Sequence, residues 1–172
     1  FTPEECDEIK RQAYATKDLD IVRAGYPHAP SEMSYGAKAL IFFPALANDY
    51  LNKIRTDERM VKLVREHIGD DVKQINNQIY FREAGTKDQF AWHRDTMFRE
   101  PRNFNGDVVD DYFQTIIAVD DINVDNGAVE FIEGSHKWEY WPDPTKLRVF
   151  TRGELEGTKY TAKKGSVLIW TV

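Results

Sequence analysis

Short runs of alternating apolar and polar residues, separated by turn-forming residues, occupy most of the chain after residue 72. Alternation with a period of two is typical of half-buried β-strands. Asn105-Gly106, Asp125-Asn126-Gly127 and Glu133-Gly134 are typical of the tight turns between strands. The strands are predicted at residues 72–82, 90–95, 112–119, 128–132, 147–150, 159–162 and 166–172. Many short strands at this spacing indicate a sandwich or a barrel.

Helices are predicted before this β region. Thr2 is placed to cap a first helix, with Pro3 at its first position and Glu5 completing a capping box. A second helix is predicted between Thr56 and Gly69, where apolar residues recur at helical spacing. The apolar faces consist of Cys6, Ile9 and Ala13 in the first helix and of Met60, Val61, Val64 and Ile68 in the second. We therefore expect one domain over residues 1–172, with a helical N-terminal layer packed on an antiparallel double sheet.

The composition excludes several classes of protein. With 23 Lys and Arg against 29 Asp and Glu, the net charge of −6 does not attract nucleic acid or an acidic membrane surface. Cys6 is the single cysteine, which excludes an intramolecular disulfide and a cysteine-based zinc cluster. Any metal must therefore be held by His and carboxylate groups. The longest apolar run, 39–47, is too short to span a bilayer, and we expect a cytoplasmic protein.

The segment 89–96 carries the most informative pair of polar residues. In a strand, His93 and Asp95 would project to the same side with their Cα atoms about 6–7 Å apart, so that both can ligate one metal ion. A His, a carboxylate and a distant second His form the facial triad of non-haem Fe(II) enzymes, which leaves positions open for co-substrate and oxygen. In a chain with four His and 29 acidic residues the tripeptide also occurs by chance. Its interpretation therefore depends on its surroundings.

The predicted strand 72–82 has one polar face. Gln78 and Tyr80 lie on this face, in phase with Gln74 and Asn76. Such a face either is solvated or lines a wet pocket inside a barrel, and the residues alone leave both alternatives open.

Three motifs follow the His93-Arg94-Asp95 segment in order. They are a strand ending in Ala118-Val119-Asp120-Asp121, a turn at Asn126-Gly127 and a corner at Gly134-Ser135-His136-Lys137. In order and spacing, residues 72–172 resemble the phytanoyl-CoA dioxygenase family of Fe(II)- and 2-oxoglutarate-dependent oxygenases. The helical N-terminal part resembles the family less specifically.

The resemblance implies a mainly β fold, a double-stranded β-helix of the jelly-roll or cupin type with the N-terminal helices packed on one sheet. It implies His93 and Asp95 as catalytic Fe(II) ligands, and 2-oxoglutarate as a co-substrate that chelates the iron and pairs with an Arg. By position, Tyr80 and Phe90 match co-substrate contacts of relatives, and Gln78 shares the face of Tyr80. Because relatives that halogenate have a small residue at the carboxylate position, Asp95 implies hydroxylation.

The family's distal His and the Arg that follows it lie after the strand represented here by residues 165–170. Both are therefore expected beyond Val172. The chain starts at Phe1 without a methionine and stops inside a strand-like run, so we expect the natural protein to continue past both ends.

Substrate contacts are predicted close to the ligand pair and in the loop after the corner. The candidates are Thr96, Met97, Phe98, Arg99 and Trp141. Arg94, Arg99 and Arg102 form a local basic set that either captures an anionic substrate or is a solvated face.

The other three histidines have simpler interpretations than metal binding. In the family, the residue matching His136 orders the corner turn. His67 lies near a helix C-terminus, where a partly cationic imidazole is favourable. His28 lies in a predicted loop between two prolines and is expected to be solvated.

We therefore predict a dioxygenase that uses Fe(II), 2-oxoglutarate and molecular oxygen to hydroxylate a small, possibly anionic, organic molecule. One alternative is a non-catalytic cupin-like binding protein that has lost its metal site. Another is a different metal in the same pocket, because nitrogen and oxygen ligands also accept Zn, Ni or Mn. The identity of the substrate and the oligomeric state are left open.

Overall fold

The computed structural model describes residues 1–17, 19, 40–82, 84–85, 92–93, 95, 112–137 and 155–171 of the chain. The chain divides into two units, Phe1–Gln89 and Phe90–Val172. Within the described ranges, the N-terminal unit has three α-helices and a two-stranded sheet, and the C-terminal unit has two such sheets. The expectation of a single domain over residues 1–172 stays a prediction.

Helix α1, Pro3–Thr16, begins with the predicted capping box. Thr2 Oγ1 accepts a hydrogen bond from the Glu5 backbone N–H at 3.2 Å, and the Glu5 carboxylate accepts one from the Thr2 N–H at 2.7 Å. Pro3 takes a position where its missing N–H is not needed. The buried face consists of Cys6, Ile9, Ala13 and Thr16. The prediction of this helix is confirmed.

Helices α2, Asp49–Arg55, and α3, Glu58–Ile68, follow in the same unit. Helix α3 is the second predicted helix. Asp57 caps it by accepting a hydrogen bond from the Arg59 N–H at 2.9 Å, and Gly69 ends it with a φ of 89°, which favours glycine. Helix α2 is absent from the sequence predictions. No helix in the described part of the chain is long and apolar enough to cross a membrane.

The sheet of the N-terminal unit pairs β1, Leu40–Phe42, antiparallel with β2, Gln78–Tyr80. Ile41 of β1 is buried with Ala13 of α1 and Phe81 in one hydrophobic cluster, so the sheet lies against α1. The strand predicted at 72–82 is therefore mostly wrong, since residues 71–77 form no strand. Because β1 is three residues long, it offers ladder partners to only three residues of that segment.

Asn48 connects α1 to α2 through both ends of its amide. Its Oδ1 accepts a hydrogen bond from the Leu51 N–H at 3.1 Å, which caps α2. Its Nδ2 donates to Gln12 Oε1 at 2.8 Å and to Thr16 Oγ1 at 3.1 Å on α1. Thr16 is 1% exposed, and a polar group in such a place requires hydrogen-bond partners. Asn48 thus caps the start of α2 and donates a hydrogen bond to the buried hydroxyl of Thr16 on α1.

Arg59 connects the start of α3 to the start of α1. Its guanidinium donates to the Glu5 carboxylate at 2.8 and 3.1 Å and to the Asp57 carboxylate at 2.8 Å. Its Cζ lies 4.1 Å from the centroid of the Phe1 ring. The hydrogen bond from Arg59, followed by that from the Thr2 backbone, lowers the pKa of Glu5 to about 2.

In the C-terminal unit, residues 113–131 pair with residues 158–171, and we call these two paired segments the ribbon. Strand β3, Phe113–Ile117, pairs antiparallel with β6, Val167–Thr171, and β4, Val129–Phe131, pairs antiparallel with β5, Thr158–Tyr160. Ile122 and Ala162 exchange backbone hydrogen bonds of 2.8 and 3.0 Å between these two pairs. One segment advances seven residues from Ile122 to Val129, whereas the other advances two. Residues 123–128 therefore leave the ribbon as an excursion.

Phe131 joins the two sheets of this ribbon. Its ring centroid lies 5.3 Å from that of Tyr160 on β5 and 5.0 Å from that of Trp170 on β6, in edge-on and tilted geometries that aromatic pairs prefer. The two small sheets are therefore held together by side chains as well as by the Ile122 and Ala162 bridge. The described residues show small antiparallel sheets and helices, and the complete jelly-roll barrel stays an expectation.

Most predicted strands of the C-terminal unit are confirmed in position. Those at 112–119, 128–132, 159–162 and 166–172 correspond to β3, β4, β5 and β6, with ends that differ by one or two residues. The strand predicted at 90–95 is wrong at the residues described there, because Trp92 forms an isolated bridge and Asp95 lies in a 3-10 turn. The strand predicted at 147–150 lies outside the described residues.

Replacing Asn48 by Ala is expected to lower the free energy of unfolding by about 2 kcal/mol, because the α2 cap and the hydrogen bond to buried Thr16 are lost together. Asn48→Ser keeps a capping oxygen but loses the amide donor, so about half of that loss is expected. Urea unfolding at neutral pH measures both values. Equal stability of the Ala variant and the wild type would contradict the connecting role of Asn48.

Replacing Arg59 by Met is expected to remove a pH-dependent part of the thermal stability. Because the pKa of folded Glu5 is about 2 and its ordinary value is 4.5, this stabilisation is present above pH 4.5 and is lost as the pH falls toward 2. The difference in Tm between wild type and Arg59→Met should be largest near pH 7, small near pH 2 and reduced by salt. Lys62→Met is the control, since Lys62 and Glu66 form a longer, exposed pair at 3.8 Å. A difference that stays constant with pH would show that Arg59 does not act through Glu5.

Candidate metal centre

His93 and Asp95 lie side by side in the C-terminal unit. His93 Nε2 is 3.6 Å from Asp95 Oδ1, and the two side chains are 29% and 27% exposed. Their donor atoms therefore meet at one place that solvent still reaches. A bridge followed by a 3-10 turn produces this juxtaposition, where the sequence predicted a strand.

The chemistry and the spacing of this pair fit a metal ion. Two donor atoms that each lie about 2.0–2.2 Å from one ion are roughly 3–3.5 Å apart, so small rotations of the His93 and Asp95 side chains bring both within bonding reach. An imidazole nitrogen with a carboxylate oxygen suits Fe(II), and also Zn, Ni or Mn. Among the described residues, no group of three or more His, Cys, Asp or Glu side chains could hold a metal. Within the described part of the chain, the candidate metal centre therefore consists of this one pair, and its role as metal ligands stays a prediction.

Trp92 directly precedes the pair and packs against the β4–β5 sheet. The Cη2 atom of its indole lies beside Gly157, the residue before β5, close to the side chain of Glu130 and the backbone carbonyl of Phe131. Its indole N–H is buried and has no hydrogen-bond partner in the described part of the chain. The residue next to His93 is therefore held by packing on the ribbon.

Gln78 and Tyr80, the candidate co-substrate contacts, lie on one face of β2 in the N-terminal unit. The Tyr80 hydroxyl donates a hydrogen bond to Gln78 Oε1 at 2.8 Å, and Tyr80 is 50% exposed. The two side chains therefore form an accessible polar pair, as their phase in the sequence predicts. Their contact with a co-substrate stays a prediction.

Asn123 and Asn126 shape the excursion between β3 and β4. Asn123 Oδ1 accepts hydrogen bonds from the backbone N–H groups of Asp125 at 2.9 Å and Asn126 at 3.0 Å. Asn126 Nδ2 donates to the Asp121 carbonyl at 2.6 Å, and Asn126 Oδ1 accepts from the Asn123 N–H at 2.7 Å. The adjacent Gly127 has a φ of 98°, which favours glycine. These residues of the family motif therefore build a turn.

Asp121 fastens this turn to the start of β6. Its carboxylate accepts hydrogen bonds from the Lys164 backbone N–H at 2.8 Å and from Lys163 Nζ at 3.2 Å. These bonds, the Lys164 bond first, lower the pKa of Asp121. Its oxygens are thus committed to a structural role in the ribbon.

Tyr160 and Glu133 are joined at the other end of the ribbon. The Tyr160 hydroxyl donates to Glu133 Oε1 at 2.6 Å, and this bond raises the pKa of Tyr160. Glu133 precedes the corner, so the bond fixes the corner to β5. His136 lies inside the corner, in the short 3-10 helix Ser135–Lys137, and the ordering of the turn by its side chain stays a prediction.

His67 lies in the last turn of α3, with its Nδ1 2.8 Å from the Leu63 carbonyl. The remaining predicted site residues lie outside the described residues. They are Phe90, Thr96, Met97, Phe98, Arg99 and Trp141, with His28, Arg94 and Arg102.

Sequence reasoning missed Trp92 and Gly157. A glycine just before a predicted strand is a signal of close backbone approach, and Gly157 carried that signal. The neighbour that approaches it, 65 positions away in the sequence, left no local pattern.

Comparison with known proteins agrees with the motifs of the ribbon. The whole chain, residues 1–172, matches the phytanoyl-CoA dioxygenase (PhyH) family. A segment of 95 residues, 55% of this chain, is 30% identical to a Stutzerimonas stutzeri protein named probable alpha-ketoglutarate-dependent hypophosphite dioxygenase. The match covers 30% of the length of that relative. No solved structure matches the chain. The chain belongs to the phytanoyl-CoA dioxygenase family, as the motifs after His93 and Asp95 predict.

Proposed function

We propose that the protein is a non-haem Fe(II)- and 2-oxoglutarate-dependent dioxygenase that hydroxylates a small anionic molecule. Family membership and the relative named for a 2-oxoglutarate-dependent reaction support the reaction class, the iron and the co-substrate. The 3.6 Å distance between His93 Nε2 and Asp95 Oδ1 is the observation that supports these two atoms as the proposed iron ligands.

In this proposal, His93 and Asp95 hold the iron through Nε2 and a carboxylate oxygen. When bound, Fe(II) supplies the activation of O2 that oxidises the substrate while 2-oxoglutarate is converted to succinate and CO2. His93 ligates as the neutral imidazole, with its proton on Nδ1, and Asp95 neutralises part of the metal charge. Because Asp95 occupies the position that halogenating relatives leave to a small residue, the proposed product is an alcohol.

The polar pair on β2 is proposed to contact the co-substrate. The Tyr80 hydroxyl and the Gln78 amide are neutral groups that can donate to a carboxylate, and they already share a hydrogen bond at 2.8 Å. Phe90, three residues before His93, is proposed to border the same molecule. The resemblance to the family supports these assignments.

An anionic substrate is supported by two independent observations. Hypophosphite, which appears in the relative's name, is a small anion. Arg94 lies between the proposed ligands, and Arg99 and Arg102 follow them closely, in a chain of net charge −6. Guanidinium groups bind oxyanions with paired hydrogen bonds. Further proposed substrate contacts are Thr96, Met97, Phe98 and Trp141.

Replacing either His93 or Asp95 by Ala is expected to weaken Fe(II) binding by more than about tenfold, since even removal of groups that only orient metal ligands costs that much. The protein expressed from its complete gene is titrated anaerobically with Fe(II) and 2-oxoglutarate, and the visible charge-transfer absorption of the chelate is recorded. His136→Ala is the control and should titrate like the wild type. Unchanged absorption in both ligand variants would refute the assignment, and a wild type that binds neither iron nor 2-oxoglutarate would favour the non-catalytic alternative.

Small carboxylates, phosphonates and phosphinates are expected to stimulate 2-oxoglutarate consumption more than neutral amines or sterols. Raising the salt concentration should increase KM for an anionic substrate, and Arg99→Ala should increase it by roughly tenfold with little change in kcat. Arg11→Ala, on the exposed surface of α1, is the control for loss of one positive charge. A neutral substrate whose KM is insensitive to salt and to Arg99→Ala would refute the proposed substrate class.

A further inference from the structure

Gly157 is required by space and not by backbone conformation. Its φ lies outside the positive range, so any residue could adopt this backbone. A Cβ added there, however, would overlap Cη2 of Trp92, and would lie 2.9 Å from Glu130 Cγ and 3.0 Å from the Phe131 carbonyl oxygen. Trp92 causes the most severe overlap. The tip of the Trp92 indole therefore occupies the space that a side chain at position 157 would need.

Within the segments that the structure describes, the indole of Trp92 is held by this contact and its N–H makes no hydrogen bond. Its Nε1 is buried, and no acceptor among the described residues reaches it. Burying an unpaired N–H is destabilising. The packing of the ring therefore has to supply the free energy that keeps it in this position. A ring held only by packing responds directly to a change in the shape of its socket.

Trp92 transmits its position to the candidate metal ligands through the backbone. Trp92 and His93 are consecutive, and their Cα atoms are about 3.8 Å apart. His93 follows the bridge at Trp92 directly, and one residue separates it from Asp95 in the 3-10 turn, so both members of the 3.6 Å pair lie within three residues of the anchored indole. A displaced indole therefore rotates the segment that carries both donor atoms.

We propose that Trp92 is a positioning residue, which places His93 and Asp95 by inserting its indole into a socket whose floor is Gly157. The socket belongs to the β4–β5 sheet, through Glu130 and Phe131. The proposal rests on the proposed function in one respect, that His93 and Asp95 bind a metal. The insertion of the indole and its effect on His93 are independent of that assignment.

The test uses four variants of the protein expressed from its complete gene. Gly157→Ala fills the socket. Gly157→Ala combined with Trp92→Phe restores space, because phenylalanine lacks the outer indole ring that carries Cη2. Trp92→Ala empties the socket without adding any atom to the sheet. Glu156→Ala changes the exposed neighbour of Gly157 and is the matched control.

Two measurements are made on each variant, neither of which is enzyme activity. Calorimetric titration with Co(II) measures metal affinity, and the NMR signals of the His93 ring, assigned with His93→Gln, report its environment without metal. We expect Gly157→Ala and Trp92→Ala each to weaken Co(II) binding at least tenfold and to shift the His93 signals. The double variant should return to within threefold of the wild type in affinity, and Glu156→Ala should stay within twofold.

Rescue by the double variant separates positioning from damage to the sheet. If Gly157→Ala acted only by crowding Glu130 and the Phe131 carbonyl, Trp92→Phe would not restore it, and the proposal would be overturned. Unchanged Co(II) affinity and unchanged His93 signals in Trp92→Ala would also overturn it, even if Gly157→Ala does not fold. A wild type that does not bind Co(II), with His93 signals that shift and return as expected, would support the positioning role and refute the metal site.

Discussion

The contact between the rings of Phe131 and Trp170 joins the two sheets of the C-terminal ribbon. The ring of Phe131 on β4 lies 5.0 Å from that of Trp170 on β6 and 5.3 Å from that of Tyr160 on β5. One side chain therefore connects two sheets whose backbones, in the described segments, are also linked by the Ile122 and Ala162 bridge. Aromatic pairs of this geometry stabilise by about 0.5–1.5 kcal/mol beyond their burial. The two sheets are two-stranded ladders of five and three residue pairs, and an isolated two-stranded ladder is marginally stable, so this aromatic cluster adds stability that the ladders lack.

The candidate metal centre is connected to the β4–β5 sheet through Trp92, the residue before His93. Phe131 contributes its carbonyl to the floor on which Trp92 rests, while its ring reaches Trp170. The segment with His93 and Asp95 has no ladder of its own in the described residues beyond the single bridge at Trp92. Its geometry is therefore set by side-chain packing on a neighbouring sheet, which explains how a segment that is not a strand still presents two donor atoms 3.6 Å apart.

Local signals in the sequence predicted the elements that local interactions determine. The capping box at Thr2 and Glu5 predicted α1, and alternation bounded by glycine turns predicted β4 and β6 within two residues. The strand at 72–82 was overpredicted because a polar alternating run becomes a strand only where a partner exists, and β1 offers three residues. Helix α2 was missed because its seven residues depend on Asn48 and on α1, a contact that lies outside any local window.

Most residues of the family motifs are different from those proposed to hold the metal. Asp121, Asn123, Asn126 and Gly127 use their side chains and backbone for the turn of the ribbon, and His136 lies in the corner. Among the residues that the structure describes, none of these groups belongs to a cluster of three or more side chains that could hold a metal. A chain can therefore keep the turn and the corner while its metal ligands change. The motifs support the fold, whereas the proposed reaction has to be supported by the geometry of His93 and Asp95. That geometry is sensitive, because ligand atoms displaced by 1 Å no longer share an ion at bond lengths of about 2.0–2.2 Å. In the proposed metal centre, the packing of Trp92 is therefore as important as the identity of the two proposed ligands that follow it.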